Sequence, residues 1–167
     1  MNKKFLECIC WDMDGTIADL YNYPDWLDHI ESHNTEPFLH CKELLDLKFT
    51  INILNELRSK YGVKINIITW LPKKRRERGE KEYAQEVIKA KKYWLAKHEF
   101  PYDEFIPIKY GKLKHEYISC SPDGRAVLID DNSKICKEWN KGRAIHAQRE
   151  DVNRELFKIL DYHRKNC

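Results

Sequence analysis

Short apolar runs alternating with amphipathic helical stretches predict an α/β fold, a doubly wound three-layer parallel sheet with helices on both faces. The length of 167 residues agrees with this, being about one domain. So does the placing of acidic residues directly after apolar runs, where such sheets hold their ligands. Phe5–Trp11 is the first strand. Leu44, Leu47, Ile51, Leu54 and Leu57 recur at helical spacing and stop before Gly62, which suits a left-handed cap, so a helix spans roughly Lys42–Lys60. Val63–Thr69 is β-branched and continuous, as a buried strand requires. Tyr83, Val87, Ala90 and Trp94 mark a long helix ending before Pro101, with its lysines assigned to a charged outer face. Phe105–Ile108 is the third strand, a helix opens within Tyr110–His115, and Ala126–Ile129 and Arg143–Ala147 are the remaining strands. Val152, Leu156, Ile159 and Leu160 line a closing helix. A single domain over residues 1–167 follows. Residues 18–42 interrupt the alternation with Tyr21, Tyr23, Trp26, three histidines and two prolines, and read as a minimal helical cap.

Composition narrows the function. Hydrophobic residues at 42% and charged ones at 34% suit one core under a charged surface and exclude whole-chain disorder. A net charge of +3 is too mild for a dedicated nucleic-acid binder, so any such contact rests on the local run Lys73–Arg78. No apolar run approaches the ~20 residues that cross a bilayer, and Glu7 and Asp12 interrupt any leader-like start. The six cysteines show no CxxC spacing, which fits reduced thiols in a cytoplasmic protein and no zinc site. None of the histidines has a spacing that demands a metal.

The chemistry is expected at the strand ends. Asp12 and Asp14 follow the first strand, Thr69 closes the second, and Asp130 and Asp131 follow the fourth. Four carboxylates crowded on one edge repel one another unless a cation relieves them. Magnesium suits that role, since it takes carboxylate oxygens and bridges to phosphate. A phosphate ester is then the natural substrate, and a carboxylate can attack phosphorus to form an aspartyl-phosphate. Gly15 supplies the sharp turn that lets Asp12 and Asp14 face one pocket.

Asp12-x-Asp14-Gly15-Thr16 after an apolar strand, Thr69 ending the next, a later lysine, and Leu128-Ile129-Asp130-Asp131 resemble the four motifs of the haloacid dehalogenase superfamily. The match runs from residue 8 to about 132. It implies that Asp12 is the nucleophile and that Asp14 protonates the leaving group and then activates water. It implies that Thr69 and Gly15 bind the phosphoryl group, and that Asp130 and Asp131 hold Mg2+ with Asp12 and the Asp14 carbonyl. The family's phosphate lysine falls near Tyr110–His115, where Lys114 is preferred to Lys112 and Lys109. Aspartate at position 14 sides with the family's phosphatases; its ion-pumping ATPases carry threonine there.

The arrangement is most similar to small 5'(3')-deoxyribonucleotidase-like and phage-type nucleotidase members, which implies a nucleotide or other small phosphate as substrate. Trp70, where a smaller residue is expected, Lys73, Trp26 and Tyr21 are candidate substrate contacts, aromatic faces being able to stack a base. Two alternatives remain open at this level: a 3'-phosphatase on nucleic-acid ends, and a catalytically silent nucleic-acid-binding module using Lys73–Arg78. The oligomeric state is not written in the chain.

Overall fold

A computed structural model describes residues 6–73, 79–120 and 125–167. Phe5 and residues 74–78 of the basic run therefore lie outside the described residues; Lys73 is described and exposed. Five strands form one sheet: β1 (Cys8–Trp11), β2 (Lys64–Trp70), β3 (Glu104–Ile108), β4 (Ala126–Asp130) and β5 (Ala144–His146). Their order is β3-β2-β1-β4-β5 and every pairing is parallel. The chain winds outward from β1 through β2 to β3, then returns to the other side of β1 for β4 and β5. The order thus reverses between β1 and β4, and the crevice at their carboxyl ends is the expected ligand position.

Side chains alternate across the sheet with the period of two that a pleated strand imposes. Ile9, Trp11, Ile65, Ile67, Val127 and Ile129 join one core cluster. It is covered by α3 (Leu47–Tyr61), the C-terminal half of α4 (Glu80–Lys97) and α6 (Val152–Asn166). Cys8, Cys10, Ile68, Ala126 and Leu128 face the opposite layer, where α5 (Ser133–Glu138) and the chain around Ile118 pack. The N-terminal half of α4 carries a third cluster, in which Tyr83, Val87 and Ala90 meet Leu20 and Phe38 of the 18–42 segment. That segment holds a single 3-10 turn, α1 (Trp26–Glu31) and α2 (Glu36–His40).

Two elements differ from the sequence expectation. The first long helix begins at Leu47, five residues later than expected. The carboxylate of Asp46 accepts the Phe49 N–H at 3.1 Å and so caps the helix there, leaving Leu44 exposed before it. Between β3 and β4 no α-helix forms among the described residues, only a single 3-10 turn at Lys114–Tyr117. Gly111 turns the chain at φ +79, the Lys112 N–H closes back on the Lys109 carbonyl at 3.1 Å, and the backbone is extended again at Ile118.

Leu54 is fully buried between helix and sheet. Leu54→Ala is expected to lower unfolding free energy by about 2–5 kcal/mol, the cost of a buried cavity, measured by urea denaturation.

Candidate active site

The crevice is assembled by strand ends and one tight turn. The Asp12 N–H is held by the Ile129 carbonyl at 2.9 Å, which ties the end of β1 to β4. The carbonyl of Met13 then accepts from Thr16, Ile17 and Ala18, so the chain folds back at once. Gly15 makes this possible at φ +79, and a Cβ at that position would lie 2.5 Å from the Tyr21 ring and 2.6 Å from Asp131 Oδ2. No side chain fits there. Its own N–H donates to the Ala18 carbonyl at 2.8 Å, so the part Gly15 plays in this geometry is to shape the turn, with its N–H already engaged.

Two buried lysines organise the carboxylates. Lys114, at the start of the 3-10 turn, donates from Nζ to Asp12 Oδ1 and to Asp130 Oδ2, the latter at 2.6 Å. Lys112 and Lys109 are exposed, and Lys112 contributes its carbonyl to the Trp70 indole N–H at 3.0 Å. The second lysine, Lys91, is one that the sequence reading placed on a charged outer face. It is instead completely buried on the inner face of α4. Its Nζ donates to Asp14 Oδ2 at 2.6 Å, Thr69 Oγ1 at 2.7 Å and the Trp70 carbonyl at 2.9 Å. A signal was present: Lys91 stands four residues after Val87 and three before Trp94, within the apolar stripe.

Smaller supports were also missed. The Thr16 hydroxyl lies 3.4 Å from Asp12 Oδ2 and accepts the Asp131 N–H at 3.0 Å. His146 meets the Asp131 carbonyl through Nε2 at 2.8 Å. Asp130 Oδ1 accepts the Asn132 N–H at 2.8 Å.

Oxygens of Asp12, Asp130 and Asp131 lie within 4.8 Å of one another. Burial, with the charge of Asp12 adding to it, raises Asp130 to about 6 and Asp131 to about 7. Asp14 is also raised, by burial above all, against the pull of Lys91. For Lys114, burial opposes the ammonium, but Asp12 and Asp130 outweigh it and the pKa rises. An all-oxygen, hard donor set crowded enough to resist ionisation fits a small divalent cation such as Mg2+. The Asp14 carboxylate is held by Lys91, which leaves its carbonyl as the group the resemblance assigns to a metal.

The resulting cavity is small, about 50 Å³, and is walled by Tyr21 and Trp70 beside the acidic residues. Trp70 lies under the Lys114 ammonium, 5.6 Å from ring centroid to Nζ, and packs against Tyr110 at 4.9 Å. Beyond that aromatic pair a groove of about 280 Å³ runs between the 18–42 segment and α4, lined in part by His33, Lys73, Tyr83, Lys109 and Tyr110. Trp26 packs edge-on against Tyr21 at 5.1 Å, behind the cavity wall.

An aspartate whose folded pKa exceeds its unfolded value of about 4 destabilises the fold increasingly as pH rises from that value to the folded pKa. For Asp131 the upper limit is about 7. In chelator, Asp131→Asn is therefore expected to melt higher than the parent protein at about pH 8, the gain shrinking on acidification and vanishing below about pH 4. Thermal melts across that range check it.

Comparison with solved structures gives the same architecture. The chain matches one in the Pnkp1/Rnl/Hen1 complex over 86% of its own length and 45% of the other, at 16% identity with a TM-score of 0.55. A second structure, of the Pnkp1/Rnl/Hen1 RNA repair complex, gives 87% and 43%, 15% identity and a TM-score of 0.53. The chain thus spans less than half the length of these two proteins. D,D-heptose 1,7-bisphosphate phosphatase from Burkholderia thailandensis matches over 92% of this chain and 98% of that one, at 10% identity with a TM-score of 0.47. No protein-family model matches the chain, and no curated protein does. At these identities the likeness lies in the backbone: the chain shares with the two Pnkp1/Rnl/Hen1 chains a Rossmann-type α/β fold, here with an all-parallel sheet.

Proposed function

We propose that the protein is a magnesium-dependent phosphomonoester hydrolase that works through an aspartyl-phosphate on Asp12. One observation carries this reading. Asp12, Asp14, Thr69, Lys114 and Asp130, far apart in sequence, meet around one crevice at the point where the strand order reverses.

The groups divide the work by position. Lys114 holds Asp12 Oδ1, which leaves Oδ2 to attack phosphorus. The same ammonium offsets the repulsion between the carboxylate and the incoming phosphate. As the bond from phosphorus to the leaving oxygen breaks, Asp14 supplies that oxygen with a proton; its burial favours the protonated form, against the pull of Lys91. Asp14 then takes a proton from water, whose oxygen attacks phosphorus and releases Asp12. The Thr69 hydroxyl donates to a phosphoryl oxygen. Asp12, Asp130, Asp131 and the Asp14 carbonyl would hold Mg2+, which would supply charge neutralisation for the phosphoryl group.

For the substrate, a nucleotide or similar small phosphate suits the cavity best. About 50 Å³ between Tyr21 and Trp70 suits a phosphoryl group, and the adjoining groove offers His33, Tyr83 and Tyr110 as aromatic surfaces with Lys73 and Lys109 at hand. A second reading, a 3'-phosphatase on nucleic-acid ends, gains support from the backbone likeness to a chain of an RNA repair complex.

Asp12→Asn is expected to lower phosphate release by at least ~10³-fold with the melting transition retained; activity persisting in the purified variant would remove Asp12 as nucleophile. Chelation should abolish turnover and Mg2+ restore it. A phosphate-release screen comparing mononucleotides, sugar phosphates and 3'-phosphorylated oligonucleotides separates the substrate readings. Salt-sensitive oligonucleotide binding without any phosphate release would favour a silent binding module.

A further inference from the structure

The geometry assigns a role to Lys91: it is a positioning residue that fixes the Asp14 carboxylate and the Thr69 hydroxyl in the orientations phosphoryl transfer needs. This rests on the phosphatase reading above and extends it to a residue that no motif contains.

Lys91 is the most fully enclosed charge of the site, with no exposed surface. An ammonium has three N–H donors and no acceptor. All three are spent, on Asp14 Oδ2, Thr69 Oγ1 and the Trp70 carbonyl. The ring of Phe38, from α2, lies over the same ammonium with its centroid 5.3 Å away, closing it from solvent. A buried ion pair is poor value for stability alone, since desolvating both charges offsets most of their attraction and an apolar pair of similar volume often serves as well. What the arrangement does supply is direction.

The Thr69 hydroxyl accepts from Lys91, so its own hydrogen is turned away from Nζ and is free to donate to a phosphoryl oxygen. Asp14 is gripped by Oδ2 alone, so Oδ1 is left for the leaving group and then for water. The third bond, to the Trp70 carbonyl, fixes the end of β2 to α4, so both reacting groups are referred to the same rigid helix. Lys114 does nothing comparable for Asp14, since its bonds go to Asp12 and Asp130.

The test is a double-mutant cycle with the full chain and Mg2+: parent, Lys91→Met, Asp14→Asn and the double variant. Two probes are used, phenyl phosphate, whose leaving oxygen needs a proton, and 2,4-dinitrophenyl phosphate, whose leaving oxygen does not. Lys91→Met is expected to lower kcat for phenyl phosphate by ~10²-fold, the scale of a misplaced reacting group, with KM changed less than ~3-fold. With the dinitrophenyl ester the same variant should give a burst of dinitrophenolate followed by slow turnover, because Asp12 is still phosphorylated but its release lacks an aligned base. In the Asp14→Asn background the lysine substitution should cost less than ~10-fold, the remainder being its hold on Thr69. Equal losses on both esters without a burst, or losses that multiply across the cycle, would overturn the assignment. If Lys91→Met alone does not fold, the double variant, which removes both charges, decides: a rate within ~10-fold of that of Asp14→Asn supports the role, and a lower rate rejects it. Absence of phosphate release by the parent protein overturns the phosphatase reading instead, and thermal melts of the same four proteins then still report whether Lys91 and Asp14 are coupled.

Discussion

Two buried ammonium groups make the acidic edge of this sheet tolerable. Asp12, Asp14, Asp130 and Asp131 converge where the ends of β1 and β4 and one turn bring them, and like charges removed from water repel strongly. Lys114 bridges Asp12 and Asp130, and Lys91 takes Asp14. Among the described residues Asp131 accepts a hydrogen bond from no lysine, and burial with the charge of Asp12 raises its pKa to about 7. The neutralisation is thus incomplete, and the remaining crowding is what a divalent cation would relieve.

The two lysines reach the site from different segments of the chain. Lys114 comes from the crossover after β3 and Lys91 from the helix before it, so the charges reach the crevice from both sides of the β2 edge. Thr69 and Trp70 at the end of β2 lie between them. The 18–42 segment adds a lid over one lysine through Phe38 and a wall for the cavity through Tyr21. Its helices pack on α4 through Leu20, Phe38, Tyr83 and Val87, so the small insert is anchored by the same helix that carries Lys91. Gly15 completes the fit, because the turn, the Tyr21 ring and Asp131 leave no room for a side chain.

Much of the architecture was legible in the chain. All five strands are where the apolar runs place them, because a strand buried on both faces must be continuously apolar. The long helix through Val87 and Trp94 follows its 3.6-residue period. Boundaries were less legible: the Asp46 cap starts α3 later than the leucine spacing suggests. The crossover after β3 was read as a helix opening within Tyr110–His115 but makes one 3-10 turn among the described residues, since local periodicity over so few residues cannot distinguish the two.

By itself the sequence determined the parallel α/β class and the carboxylates at the strand ends, because both depend on residues adjacent along the chain. Tertiary structure decided the rest. Lys91 and Asp14 are 77 residues apart, and periodicity says which face of a helix is buried without saying which acid waits there. The same holds for the bridge from Lys114 to Asp12 and Asp130, and for the Tyr21 ring and Asp131 carboxylate pressed against Gly15. These are distances through space, and only the packing of the sheet against its helices sets them.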